Sequence, residues 1–137
     1  TMYPEALVKP MKSELTEAGF EDLTTPPSVD NAVRKPGTLL LVFNSVCGCS
    51  AGAARPGILM AVKNDKLPQH LATVFAGFDV EATSQARRYT LPYPPSSPSI
   101  ALFKDGKLVH FIELQKIECQ AANMVAENLK AAFDEYC

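Results

Sequence analysis

The sequence contains no block or stripe of basic residues. Its 13 Lys and Arg are set against 15 Asp and Glu, for a net charge of −2. That balance lacks the electrostatic footprint of a nucleic-acid binder. The longest apolar runs fall far short of the roughly 20 residues that span a bilayer, so no membrane partner is expected. No charged start followed by an apolar stretch and a cleavage site is visible, so no secretory signal is read. Thr1 ahead of Met2 reads as a cloning remnant. Histidine is scarce: His70 reads as a loop residue and His110 as a strand residue. Neither has a partner at metal-ligand spacing. Internal repeats, low-complexity segments and a second-domain linker are also missing.

What is present is a chain of 137 residues, 47% hydrophobic and 20% charged, which is enough for one folded domain with a real core. The 4 cysteines are Cys47, Cys49, Cys119 and Cys137. An even count invites a disulfide scaffold, but a chain this long and this rich in core residues needs no staples. The cytoplasm is the expected location, where a close cysteine pair is more often catalytic or metal-binding.

Apolar spacing and breakers give a helix over 4–19, with Pro10 an interruption and an alternative start and Gly19 the stop. A turn-rich connection over 24–28 and a short helix over 29–34 follow. The continuous apolar run over 38–44 reads as a strand buried on both faces. Residues 50–64 read as one helix bent by Pro56, 71–76 as a second buried strand, and 79–89 as a helix capped by Asp79. The proline-rich stretch 91–98 must be irregular. Strands over 99–103 and 107–112 flank Asp105-Gly106, a strong hairpin signal. A helix over 117–136 closes the chain. Strand–helix–strand units imply parallel pairing, and the hairpin adds an antiparallel edge. The expected fold is α/β: a mixed sheet of about four strands flanked by helices, in one thioredoxin-like domain over 1–137.

The chemistry is expected at Cys47-Gly48-Cys49, where the first buried strand gives way to a helix. The first backbone donors of a helix lack internal partners and carry partial positive charge, a field that stabilises a thiolate. The thiolate is the species that attacks disulfides. Gly48 carries no side chain, so it lets the two sulfurs approach each other and lets a substrate backbone come close. A Cys47–Cys49 bond would close a small strained ring that reduces easily. Cys47, ahead of the helix and more exposed, is assigned as nucleophile and Cys49 as resolver.

Asn44 and Ser45 can hydrogen-bond near the thiolate or satisfy the strand exit; Asn44, Gly48, Ser97 and Pro98 are taken as the substrate-binding residues. Ser97-Pro98-Ser99 stands just before the hairpin. By analogy with thioredoxin-like domains, a cis proline there faces the cysteine motif and its neighbour's backbone pairs with substrate. Arg55 reads as solvated or carboxylate-paired. Cys119 reads as packed and inert. Cys137 stands beside its own carboxylate, which raises its thiol pKa.

Asn44-Ser45-Val46-Cys47-Gly48-Cys49, Ala54-Arg55-Pro56, Val74-Phe75-Ala76-Gly77, Pro95-Ser96-Ser97-Pro98-Ser99 and Val109-His110-Phe111-Ile112 together resemble the bacilliredoxins. The likeness extends from Pro10-Met11 to Asp134. It implies a thioredoxin-like fold and removal of bacillithiol, a small cysteine-containing thiol, from oxidised client proteins. Cys47 would take up the small thiol, and Cys49 maps to the second motif cysteine. The co-substrate would be bacillithiol or a similar thiol, with no bound cofactor, and the partners would be thiol-modified proteins. Disulfide isomerase or reductase activity, and metal binding by the cysteine pair, are the alternatives.

Overall fold

Residues 3–137 are described in a computed structural model; Thr1 and Met2, including the cloning-remnant reading, lie outside them. Helix α1 (Glu5–Thr16) runs through Pro10 rather than starting there. The missing N–H costs one intrahelical bond, and burial of Val8 and Leu15 holds the helix on the core. Strand β1 (Glu21–Asp22) follows. Helix α2 (Pro26–Arg34) begins earlier than the turn-rich reading placed it. The Ser28 N–H donates to Thr25 Oγ1 at 3.3 Å and the Thr25 N–H to Ser28 Oγ at 3.2 Å, a reciprocal cap ahead of two prolines whose fixed φ suits a first turn.

Strand β2 (Thr38–Asn44) is buried at every position, as its unbroken apolar run requires. Leu40 and Val42 enter one core with α1 residue Leu15 and helix residues Ile58, Leu129 and Phe133. Leu39, Leu41 and Phe43 enter the other with Val29, Val33, Ala82 and Ala86. The alternation is that of a strand covered on both faces.

The predicted single helix over 50–64 is two pieces. Ser50–Ala54 is a π-helical turn, in which the Arg55 N–H reaches back to the Ser50 carbonyl, and α3 spans Arg55–Ala61. The wider turn falls just ahead of Pro56, whose ring would crowd the carbonyl four residues back in an ordinary helix. Strand β3 (His70–Phe75) puts His70 on a strand, not a loop, and α4 spans Val80–Arg87. Asp79 stands at the cap of α4 without a side-chain cap bond, because its carboxylate takes the Lys12 ammonium at 2.7 Å. The hairpin pairs β4 (Ser99–Lys104) with β5 (Lys107–Ile112) through Asp105 (φ 50°) and Gly106 (φ 80°), the left-handed pair of a tight hairpin turn.

The predicted closing helix is broken into α5 (Leu114–Glu118) and α6 (Ala122–Tyr136). The break lets the first turn of α6 press against Gly57, where an added Cβ would lie 2.8 Å from both the Ala122 carbonyl oxygen and the Val125 Cβ.

The sheet has five strands in the order β1-β3-β2-β4-β5, one more than expected. The extra strand is a two-residue acidic edge with no apolar signature. β2 lies parallel to β3, with Asn44 opposite Phe75, and antiparallel to β4, with Phe43 opposite Ser99. Three segments therefore meet at one end of the sheet: the exit of β2, the exit of β3 and the approach to β4.

Candidate active site

At that end the chain leaves β2 through Ser45 and Val46 and turns into a helix at Cys47. The Cys47 carbonyl accepts from the Ser50 N–H at 2.9 Å and the Ala51 N–H at 3.3 Å. The Cys49 N–H, a helix-opening donor with no backbone partner of its own, points at Cys47 Sγ at 3.4 Å. The Cys47 N–H donates to Ser45 Oγ at 3.3 Å. Cys47 and Cys49 are half-buried free thiols. Gly48 is exposed, and a Cβ there would meet nothing within 4 Å. The free fold therefore leaves open space over the motif rather than forcing glycine on it.

The Cys49 thiol is pushed up by its hydrogen bond to the Cys47 sulfur, then by burial and by the charges of Cys47 and Glu118. A raised pKa keeps the proton on Cys49.

Cys47 opens onto a hollow of about 280 Å³, with Ser45 and Val46 beside it, Ala76 and Gly77 from the exit of β3, Ser97 before β4, and Tyr3. Gly77 has φ +82°, and a Cβ on it would stand 2.6 Å from the Tyr3 ring. The Ser97–Pro98 peptide is cis, as is Leu91–Pro92. Ser97 lines the hollow, whereas Pro98, expected to share in substrate contact, is buried behind it as the chain enters β4.

Asn44, also expected at the substrate, is 1% exposed and bonded inside the protein. Its Nδ2 donates to the Met11 carbonyl at 3.2 Å. Its Oδ1 accepts from the Ser45 N–H at 2.9 Å, Ser50 Oγ at 3.0 Å and Arg55 Nη1 at 2.9 Å. Asn44 is a positioning residue beneath the motif. Arg55, read as solvated or carboxylate-paired, is 1% exposed. Nη1 also reaches the Ser45 carbonyl and Ser50 Oγ, both at 2.9 Å. Its Nε lies 3.1 Å from Glu14 Oε1 without the alignment of a hydrogen bond, so that contact is ionic. Arg55 thus ties both ends of the cysteine loop to the strand that launches it. The π-helical turn places it there, and no spacing rule for an ordinary helix indicates this.

The remaining thiols lie outside the hollow. Cys119, expected to be packed, is exposed after α5, and its neighbour Glu118 is the acid felt by Cys49. Cys137 has its thiol pushed up by partial burial, opposed by Thr38 and by the charges of Lys104 and Lys66, with no part played by its own carboxylate. Thr38 starts β2, so Cys137 marks the far end of the sheet from Cys47. His110 Nε2 lies 2.7 Å from Asn128 Oδ1. Among the described residues, no group of three or more His, Cys, Asp or Glu is placed to hold a metal ion, and no helix is long and apolar enough to cross a membrane.

A family model described as disulphide isomerase matches residues 3–137. The bacilliredoxin of Cytophaga hutchinsonii is 60% identical over 134 residues, covering 98% of this chain and 99% of that one. A bacilliredoxin of Geobacillus kaustophilus is 53% identical over 131 residues, covering 96% and 90%. Among solved structures, oxidised mitochondrial thioredoxin 3 of Saccharomyces cerevisiae superposes with a TM-score of 0.59 at 17% identity, covering 90% of this chain and 99% of that one. Fasciola hepatica thioredoxin does so with a TM-score of 0.60 at 17% identity, covering 86% and 100%. The fold is thioredoxin-like.

Proposed function

Because the chain belongs to the bacilliredoxin family and is a thiol–disulfide oxidoreductase, we propose that it removes a low-molecular-weight thiol, bacillithiol or a close relative, from mixed disulfides on client proteins in the cytoplasm. Cys47 attacks the small thiol's sulfur. The client S–S bond breaks, the client sulfur leaves as a thiolate and takes up a proton, and a Cys47–small-thiol disulfide forms. Cys49, once deprotonated, attacks Cys47, releases the small thiol and leaves a Cys47–Cys49 disulfide. An external thiol reductant then reopens that disulfide. Electrons balance as successive thiol–disulfide exchanges.

The observation that carries this reading is a hollow lined by Cys47, with the Cys49 N–H directed at the Cys47 sulfur. That donor stabilises negative charge on the sulfur before attack. Ser97, which lines the same hollow, offers backbone to an extended client segment. Asn44 and Arg55 hold the loop from beneath, and Ser45 holds it from within the lining of the hollow.

The test uses a protein with a single cysteine carrying bacillithiol or glutathione, followed by intact mass. The native protein frees the client thiol. Cys47→Ser abolishes release, and Cys49→Ser completes the first step and accumulates the Cys47 adduct. Full activity in Cys47→Ser would contradict the role given to Cys47. If scrambled protein disulfides were re-paired faster than the mixed disulfide is cleared, isomerase activity would be the better description.

A further inference from the structure

A second hollow, of about 400 Å³, adjoins the first between α4 and the segment before β4. The two share Ala76, Gly77 and Ser97, so they form one continuous groove leading away from Cys47. Its distinctive wall residue is Arg87, the last residue of α4.

Arg87 is held rigidly. Its Cζ lies 4.9 Å from the centre of the Phe43 ring, and Nη1 donates to the Ser96 carbonyl at 3.0 Å. A guanidinium has five N–H donors, so most remain for a ligand. None of the ion pairs among the described residues involves it. Burial without a counter-charge pulls its pKa below the ordinary arginine value. The contrast with Arg55, buried with a carboxylate and three oxygen acceptors, is direct. The exposed Ser84 and the half-buried Ser97 add hydroxyls to the same hollow.

A stacked, half-desolvated guanidinium with free edges is preorganised for a planar anion, and a carboxylate matches its fork. We propose that Arg87 receives a carboxylate of the small thiol whose sulfur reacts at Cys47, so that the preferred substrates are acidic low-molecular-weight thiols. This rests on the de-thiolation reading above. It also accounts for regiochemistry. A mixed disulfide offers two sulfurs, and attack on the client's sulfur would expel the small thiol and leave the client attached to Cys47. With the carboxylate anchored at Arg87, the small thiol's sulfur is the one set against Cys47, and the client thiolate is the leaving group.

The test uses Cys49→Ser, in which reaction stops at the Cys47 adduct, and two probes on one single-cysteine protein. One probe is glutathione and the other is glutathione diethyl ester, with its carboxylates masked. Adduct formation is timed by quenched mass spectrometry. The acid probe reacts faster by about tenfold, the worth of one charge-assisted pair in a half-buried setting. Arg87→Gln brings the acid rate down to the ester rate and leaves the ester rate within about twofold, whereas Arg87→Lys keeps part of the preference. Ser84→Asp puts a competing carboxylate in the hollow without touching the Phe43 stack. It reduces the acid rate alone and serves if Arg87→Gln does not fold. Equal losses on both probes, or an unchanged preference in a folded variant, would overturn the subsite. If neither probe reacted at Cys47 while a protein disulfide did, the de-thiolation reading would fall and the subsite with it.

Discussion

Replacing Arg55 with Met tests whether the cysteine loop is held from beneath by a buried cation. Nη1 has two hydrogens for three acceptors, Asn44 Oδ1, the Ser45 carbonyl and Ser50 Oγ, each at 2.9 Å. The loss is therefore about two charge-assisted hydrogen bonds at roughly 1.5 kcal/mol each, or about 3 kcal/mol, with methionine filling much of the volume. In a domain of this size that lowers Tm by about 12 °C. Glu14→Gln removes only the ionic contact to Nε. The Glu14 side chain is 44% exposed, so its loss costs about 0.5 kcal/mol. Urea titration of both variants measures the difference, with an unchanged m-value confirming that stability alone has moved. Arg55→Met should also slow alkylation of Cys47, because the Ser45 that receives the Cys47 N–H is no longer anchored. A cost below about 1 kcal/mol for Arg55→Met, or an equal cost for Glu14→Gln, would refute the reasoning.

Three further outcomes are expected. Asp30 is held below its ordinary value by hydrogen bonds from Tyr89 and Gln85. A depressed carboxylate contributes stability above its unfolded pKa of about 3.9 and loses it as pH falls through the folded value. Tyr89→Phe should therefore flatten the acid limb of a stability–pH curve below about pH 4, and an unchanged limb would contradict the assignment. Burial alone would lower the Lys12 pKa, but hydrogen bonds and charge from Asp79 and Asp22 raise it above 10.5. Its contribution is present at neutral pH and disappears as pH rises through that folded value. The deficit of Lys12→Met in urea titrations should accordingly shrink in strong alkali. Gly77→Ala, at φ +82° and against the Tyr3 ring, should cost about 1–2 kcal/mol and alter Tyr3 fluorescence, whereas Gly48→Ala should leave stability nearly unchanged.

The fold was legible wherever burial speaks through composition. The unbroken apolar run of β2, the Asp105-Gly106 turn and the prolines before β4 each carry one physical meaning. β1 was not legible because two acidic residues on an edge pair through their backbone alone. The early start of α2 was hidden in a reciprocal Thr25–Ser28 cap ahead of prolines that read as a turn. At the site, a strand running into a small-residue helix located the cysteines. Residue type left two readings open at Asn44 and Arg55, and burial decides between them: Asn44 satisfies the strand exit, and Arg55 pairs with Glu14 from inside the protein. Arg55 reaches Asn44 only through a widened helical turn. Arg87 gave no signal at all, since its place in the groove is set by α4 packing on Phe43, far away in sequence.

The central claim concerns which sulfur attacks. The most direct measurement is peptide-resolved mass spectrometry of Cys49→Ser after it has reacted with a bacillithiol- or glutathione-modified client. The account predicts one adduct per chain, carried on Cys47, with Cys119 and Cys137 unmodified. An adduct on exposed Cys119 with Cys47 still free would contradict it.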